Sequence, residues 1–328
     1  MSSNAKANRP YWQQTMLRVK DAERSVAFYE KSLGFQLLSK WDFPQWEFSL
    51  YFMGTPMPGE GGKGGNVFDR DLVTLELTHN WGEDQPPIHP GNKDRDGFGH
   101  IAVAVDDVYA ASDKLLAEGV EFKKKPDEGR MKGLAFALDP DGYWVEIVKR
   151  EGTVDSGCPE FALAQTMLRI KDPSKSIPFY TEQFGMRLLA ERHYGKDKGD
   201  FSLYFLANEA DVEGETTPDP TTPEAMQHIK SHLYPNAVPV LELTHNHGTE
   251  SDSDFQHNNG NVEPRRGFGH IGFLVDDVYE FSKGLEGAGV EFHKKPDDGS
   301  MKGLAFCLDP DGYWIEIINR GMNPESFK

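Results

Sequence analysis

The stretch Leu75-Glu76-Leu77-Thr78-His79-Asn80 recurs letter for letter as Leu241-Glu242-Leu243-Thr244-His245-Asn246. Its alternation predicts a half-buried strand, with Leu75, Leu77 and His79 on one face and Glu76, Thr78 and Asn80 on the other. A carboxylate in mid-strand is costly to bury unless it is paired or bound to a cation. What surrounds the two glutamates therefore matters as much as how far the duplication extends.

It extends nearly end to end. Gln13-Gln14-Thr15-Met16-Leu17-Arg18 answers to Ala164-Gln165-Thr166-Met167-Leu168-Arg169, and Gly97-Phe98-Gly99-His100-Ile101 to Gly267-Phe268-Gly269-His270-Ile271. Leu138-Asp139-Pro140-Asp141-Gly142-Tyr143-Trp144 matches Leu308 to Trp314, and Glu146 matches Glu316. The second copy is 15 residues longer ahead of Glu242 and four longer after it. The composition of Gly59–Gly65 and Ala210–Glu224 predicts exposed, mobile loops, a disordered surface excursion being the simpler reading of both than a closing lid.

Each half divides again. In the first, strands are expected over Thr15–Lys20, Phe35–Ser39, Phe48–Phe52 and Val73–His79, with a helix capped by Asp21 and ended by Gly34. Then come a strand over His100–Val105, a helix over Val108–Glu118, and strands over Glu121–Lys123, Leu134–Leu138 and Trp144–Val148. The fold class is α+β: four βαβββ modules paired into two curved mixed sheets, since one module is too small to bury both faces of its sheet. The domains are residues 1–150 and 162–328, joined by a linker at 151–161 that could span roughly 35 Å if extended.

A net charge of −18 argues against a nucleic-acid partner, which needs a basic face. Any anion site must then be built from local Arg and Lys. No apolar run approaches the ~20 residues of a membrane span, and Met1–Pro10 lacks the apolar middle of a secretory signal. An intracellular, cytoplasmic protein is expected, with Cys158 and Cys307 reduced and outside any metal-binding spacing.

Gln14 and His100 sit on the first strands of their modules, and Glu76 and Glu146 on the last; Gln165, His270, Glu242 and Glu316 repeat the pattern. If first and last strands lie side by side, each module offers one neutral ligand and one carboxylate. Any one of these alone is more simply a satisfied hydrogen-bonder; eight in matched roles point to two N/O sites for a divalent ion. Within-half and crossed quartets both remain open on the residues themselves. By alternation His79 and His245 face away and read as structural, and Asp106-Asp107 and Asp276-Asp277 read as helix caps. No Ser/His/Asp triad spacing, P-loop or dinucleotide fingerprint is present.

Together the Gln-Thr-Met-Leu-Arg, Leu-Glu-Leu-Thr-His-Asn, Gly-Phe-Gly-His-Ile and Asp-Pro-Asp-Gly-Tyr-Trp motifs resemble the glyoxalase I (lactoylglutathione lyase) family. The likeness runs from about Tyr11 to Asn319, in the fused two-copy form known from fungi. It implies the vicinal-oxygen-chelate fold and isomerisation of the methylglyoxal–glutathione hemithioacetal to S-lactoylglutathione, with glutathione as cosubstrate. It also implies crossed metal quartets: Gln14, Glu76, His270 and Glu316 at one site, and Gln165, Glu242, His100 and Glu146 at the other. By the same resemblance Glu316 or Glu146 moves the substrate proton through an ene-diolate, Glu76 or Glu242 serves the opposite configuration, and zinc is the expected metal with nickel an alternative.

Family members hold glutathione with Arg, Asn and Lys. The matching residues are Arg18, Asn80, Arg266 and Lys294, with Arg169, Asn246, Lys124 and Arg130. Asp96 stands where the second half has Arg266, and Ser300 where the first has Arg130. With the sites crossed, Asp96 would face a substrate carboxylate unless Arg95 or Arg130 compensates, so two unequal sites are expected. A monomer is expected, because the halves can supply each other's interface. The alternative function is a non-catalytic small-molecule binder of the same fold.

Overall fold

The computed structural model describes residues 9–55, 65–92, 96–152 and 158–327. Most of the glycine-rich 59–65 stretch, Arg95 and the middle of the linker lie outside them. The first module comprises β1 (Tyr11–Arg18), α1 (Ala22–Lys31), β2 (Gln36–Phe43), β3 (Phe48–Gly54) and β4 (Thr74–Asn80). The second comprises β5 (Phe98–Val105), α2 (Val108–Ala117), β6 (Phe122–Lys124), β7 (Ala135–Leu138) and β8 (Trp144–Lys149). In the third, β9 (Ala162–Ile170), α3 (Pro173–Pro178), β10 (Met186–Tyr194) and β11 (Phe201–Asn208) precede α4 (Pro223–His228) and β12 (Val240–Asn246). The fourth comprises β13 (Phe268–Val275), α5 (Val278–Gly287), β14 (Phe292–Lys294), β15 (Leu304–Leu308) and β16 (Trp314–Asn319).

In every module the first and last strands pair in parallel: β1 with β4, β5 with β8, β9 with β12, and β13 with β16. The modules then pair across the duplication. One eight-stranded sheet runs β14-β15-β16-β13-β1-β4-β3-β2, joining the first module to the fourth. The other runs β10-β11-β12-β9-β5-β8-β7-β6, joining the second to the third. Antiparallel β1–β13 and β5–β9 ladders make the two seams. Each half of the sequence thus contributes to both sheets.

Alternation sets the faces. Leu75, Leu77, Leu241 and Leu243 are fully buried in one large apolar core, while Glu76, Thr78 and Asn80 point the other way, to the concave side. The two sheets meet back to back there, with Phe98 stacked on Phe268 at 5.0 Å and the Thr15 and Thr166 hydroxyls 2.7 Å apart. Asp21, Asp107 and Asp277 cap their helices through backbone amides, as side-chain acceptors at N-caps do. Asp106 and Asp276 do not cap: they pair with Arg150 at 2.7 Å and Arg320 at 3.2 Å, because only the residue directly before the helix reaches its first free amides.

The Ala210–Glu224 stretch is a largely exposed loop, as expected, but it is anchored by Val212 and runs into buried helical turns. A 3₁₀ turn at Glu209–Asp211 leads into α4, a wider π turn at Ile229–Leu233 and a tighter 3₁₀ turn at Tyr234–Asn236, with Val212, Ala225 and Ile229 wholly buried. Ala225, Ile229 and Leu233 recur every four residues, one face of a helix, which the Thr, Pro and acid content just upstream obscures. Arg192 on β10 fastens the start of α4, donating to the carbonyls of Thr222 (2.8 Å) and Pro223 (2.9 Å). A second apolar cluster forms between this insertion and the concave face of the β5–β9 sheet, and includes Ala102, Ala164, Phe205 and Tyr234. No helix among the described residues is long and apolar enough to cross a membrane.

Candidate active site

The crossed sheets gather the expected residues into two clusters. On the first sheet, Gln14 (β1), Glu76 (β4), His270 (β13) and Glu316 (β16) converge from the first and fourth modules. Gln14 Nε2 donates to Glu76 Oε2 and Glu316 Oε2, each at 2.7 Å, and lies 3.3 Å from His270 Nε2. His270 Nε2 is 2.9 Å from Glu316 and 3.7 Å from Glu76. On the second sheet, His100 (β5) Nε2 lies 3.2 Å from Glu146 (β8) and 3.8 Å from Glu242 (β12), and Gln165 (β9) donates to Glu242. All eight side chains are buried.

In each cluster one imidazole and two carboxylates bring single donor atoms within 4.8 Å of one another. Two buried carboxylates at one locus call for a cation. The histidines partly answer it: burial alone would lower His270, but Glu316 and Glu76 outweigh that and push it up to about 9. His100 is raised in the same way by Glu146 and Glu242. Burial in turn raises Glu316, and lifts Glu242 to about 7. Gln14 Oε1 and His100 Nε2 are buried with no aligned hydrogen-bond partner among the described residues. Spare donor atoms beside paired carboxylates, all N or O, fit a divalent ion.

A cavity of about 200 Å³ opens on the first cluster. One end is basic, with Arg18, Asn80 and Arg266; the rest is walled by Trp41, Phe43, Phe48, Phe68, Met301, Phe306, Met322 and Phe327. Such a shape takes an extended ligand with an anionic end and an apolar flank. The wall residues escape a repeat-based reading, because most of them have no identical partner in the other half.

The basic residues fare differently from one another. Arg18 donates to the carbonyls of Gly260, Gly267 and Phe268 and to Asn261 Oδ1, at 2.8 to 3.4 Å; Arg169 similarly holds Gly97 O and Asn92 Oδ1. Burial first, then nearby Arg266, lowers Arg18 to about 10. Lys294 donates to the carbonyl of Leu304 and Lys124 to that of Leu134, each at 2.6 Å, and burial lowers both. Arg130 donates to the carbonyl of Asp197, and Asn246 lies at the end of β12, opposite Phe201. Among the described residues Asp96 is answered from the second half: Arg265 pairs with it, and the Asn258 amide donates to it at 2.6 Å.

The residues 12–147 and 162–317 each match the model of the glyoxalase/bleomycin resistance protein/dioxygenase superfamily. Within it, the chain is 41% identical to glyoxalase I of Saccharomyces cerevisiae, over 94% of this chain and 92% of that protein. Lactoylglutathione lyase of Schizosaccharomyces pombe is 39% identical over 93% and 95%. Among solved structures, glyoxalase I of Zea mays superposes with a TM-score of 0.67 at 26% identity, covering 97% of this chain and 95% of that one. The chain belongs to the glyoxalase I family of this superfamily.

Proposed function

We propose that the chain is a lactoylglutathione lyase that isomerises the methylglyoxal–glutathione hemithioacetal to S-lactoylglutathione at two metal centres. The observation that carries the reading is the Gln/Glu/His/Glu quartet, built twice from crossed modules on the concave faces. Gln14, Glu76, His270 and Glu316 would hold one divalent ion, and Gln165, Glu242, His100 and Glu146 the other. Zinc or nickel suits these donors, and the ion supplies Lewis-acid stabilisation of the negative charge that develops as a carbon acid beside a carbonyl ionises.

The remaining work falls to side chains. Glu316, or Glu146 in the second site, takes the proton from the hemithioacetal carbon and returns it to the adjacent one; Glu76 or Glu242 serves the opposite configuration. Burial raises Glu316 from its ordinary value and lifts Glu242 to about 7, where proton transfer both ways is efficient at neutral pH. Arg266 and Asn80 receive an anionic end of glutathione, and the aromatic wall excludes water from the reacting carbons. Each site takes residues from both halves of one chain, which supports a monomer.

The test is the rate of thioester formation from methylglyoxal and glutathione after reconstitution with zinc or nickel. The parent should be active, and Glu146→Gln and Glu316→Gln should each remove a different, unequal share. A parent inactive with both metals refutes the enzyme and leaves a binder.

A further inference from the structure

The two quartets match in residue type but not in pose, and two exchanges beside them account for the difference. Two residues after the histidine, the first site has Gly272 where the second has Ala102. Eight residues before the first glutamate, the first has Phe68 where the second has Tyr234. The first pair lies beside the glutamine in both sites, and the second adds a contact to it in one. Gly272 is the β13 partner of Gln14, and Ala102 the β5 partner of Gln165. A Cβ on Gly272 would lie 2.7 Å from Gln14 Cγ and 3.0 Å from Cδ, so Gln14 occupies space that only glycine leaves open.

At the second site that methyl group is present, and the glutamine points elsewhere. Gln14 Nε2 reaches both carboxylates and the imidazole; among the described residues Gln165 Nε2 donates to Glu242 alone. The other end of the Gln165 amide is taken: Tyr234 Oη donates to Gln165 Oε1 at 2.6 Å. Both glutamines set their amide nitrogen against carboxylates, but only Gln165 has its amide oxygen held by a buried donor as well. Tyr234 is 1% exposed and sits on the insertion that Arg192 ties down. Phe68, on the aromatic wall of the first cavity, has no hydroxyl to offer. Gln14 Oε1 accordingly remains spare.

We propose that the Gly272/Ala102 and Phe68/Tyr234 exchanges make Gln165 the poorer ligand of the two glutamines, so that the second site, with His100, Glu146 and Glu242, holds its metal less tightly than the first. The inference rests on the metal-dependent reading above and adds which residues set the two sites apart. To ligate through oxygen either glutamine must turn its amide away from the carboxylates, but Gln165 must also abandon a buried phenol that then loses its acceptor, and must crowd the Ala102 methyl group, whereas the Gln14 oxygen leaves no buried donor behind. Tyr234 is a positioning residue, acting through Gln165 on the ion. Neighbours that orient metal ligands are typically worth 10- to 100-fold in affinity, and a difference of that order is expected between the sites.

The experiment titrates the metal-free full-length chain with Zn²⁺ against a chromogenic chelator, and with Co²⁺ to read coordination from the visible absorption bands. The parent should bind two ions of unequal affinity. In Ala102→Gly/Tyr234→Phe the weaker class should tighten by about 10- to 100-fold toward the stronger, with a Co²⁺ spectrum closer to a single type of site. The reciprocal pair, Gly272→Ala/Phe68→Tyr, should weaken the tight class alone, and it tests the idea even if the first pair folds poorly. Two ions bound equally by the parent, or double variants that leave both constants unmoved, overturn the proposal while the metal-dependent reading stands. Failure to bind any Zn²⁺ or Co²⁺ overturns both.

Discussion

Replacing Arg266 by alanine should raise KM at the first site and leave kcat nearly unchanged. Arg18, beside it, spends its guanidinium on three carbonyls and an amide oxygen, which leaves Arg266 as the cation at the basic end of the cavity with the fewest competing partners. A charge-assisted hydrogen bond is worth about 1.5–3 kcal/mol. Arg266 is half-buried, with its carbonyl pinned by the His89 amide at 2.9 Å, so the lower part of that range applies. About 1.5–2 kcal/mol corresponds to a 10- to 30-fold rise in KM. The contact lies far from the proton in flight, so ground and transition states should lose it equally. The assay is initial-rate thioester formation in a Glu146→Gln background, which silences the second site, at two ionic strengths. KM of the background should climb with salt and that of the variant should climb less. A fall in kcat at constant KM, or salt-independent binding in both, would refute the reasoning.

Phe327→Ala removes part of the apolar wall, where the ring meets Phe43 at 5.7 Å; about 1–2 kcal/mol of lost contact should raise KM roughly 5- to 30-fold at the first site only, measured in the same background. Tyr29→Phe deletes the donor to Asp139 Oδ2 in a fully buried turn and should cost about 1–3 kcal/mol in urea unfolding without changing KM. His257 is buried, and desolvation lowers it to about 4. The unfolded chain then binds its proton first, so its contribution is whole above the ordinary value near 6.5 and is lost as pH falls toward 4, by about 3 kcal/mol at most. His257→Gln should flatten the acid limb of the stability profile, and an unchanged slope would count against a neutral buried imidazole.

Where sequence and structure agree, the reason is periodicity supported twice over. Glu76 and Glu242 reach the concave faces because alternation at Leu75–Asn80 leaves no other register once the leucines are buried. Both copies of the pattern state this, and the histidine and glutamine positions follow from the parallel pairing of first and last strands. What stayed illegible lies where the copies differ. The aromatic wall at Trp41, Phe43 and Phe327 has no counterpart to flag it, and the α4 insertion hides a four-residue apolar repeat behind a loop-like preface. The answer to Asp96 was missed because Arg265 is distant in sequence and joins it only where the two sheets meet, next to the Phe98–Phe268 stack. Comparing the halves for mismatches next to the shared residues would have picked out Ala102 and Tyr234.

The crossing of modules also dictates an order of assembly. The β5–β9 seam joins neighbours in sequence, and its sheet is complete once Asn246 has been made. The β1–β13 seam encloses it, as an outer bracket encloses an inner one, and joins Tyr11–Arg18 to Phe268–Val275. During synthesis the first module must therefore wait, its β1 edge open, until the last module emerges. Chains halted just after β12 should carry one closed sheet and one exposed strand, a species that invites chaperones, and the slow step in refolding should be closure of the outer seam.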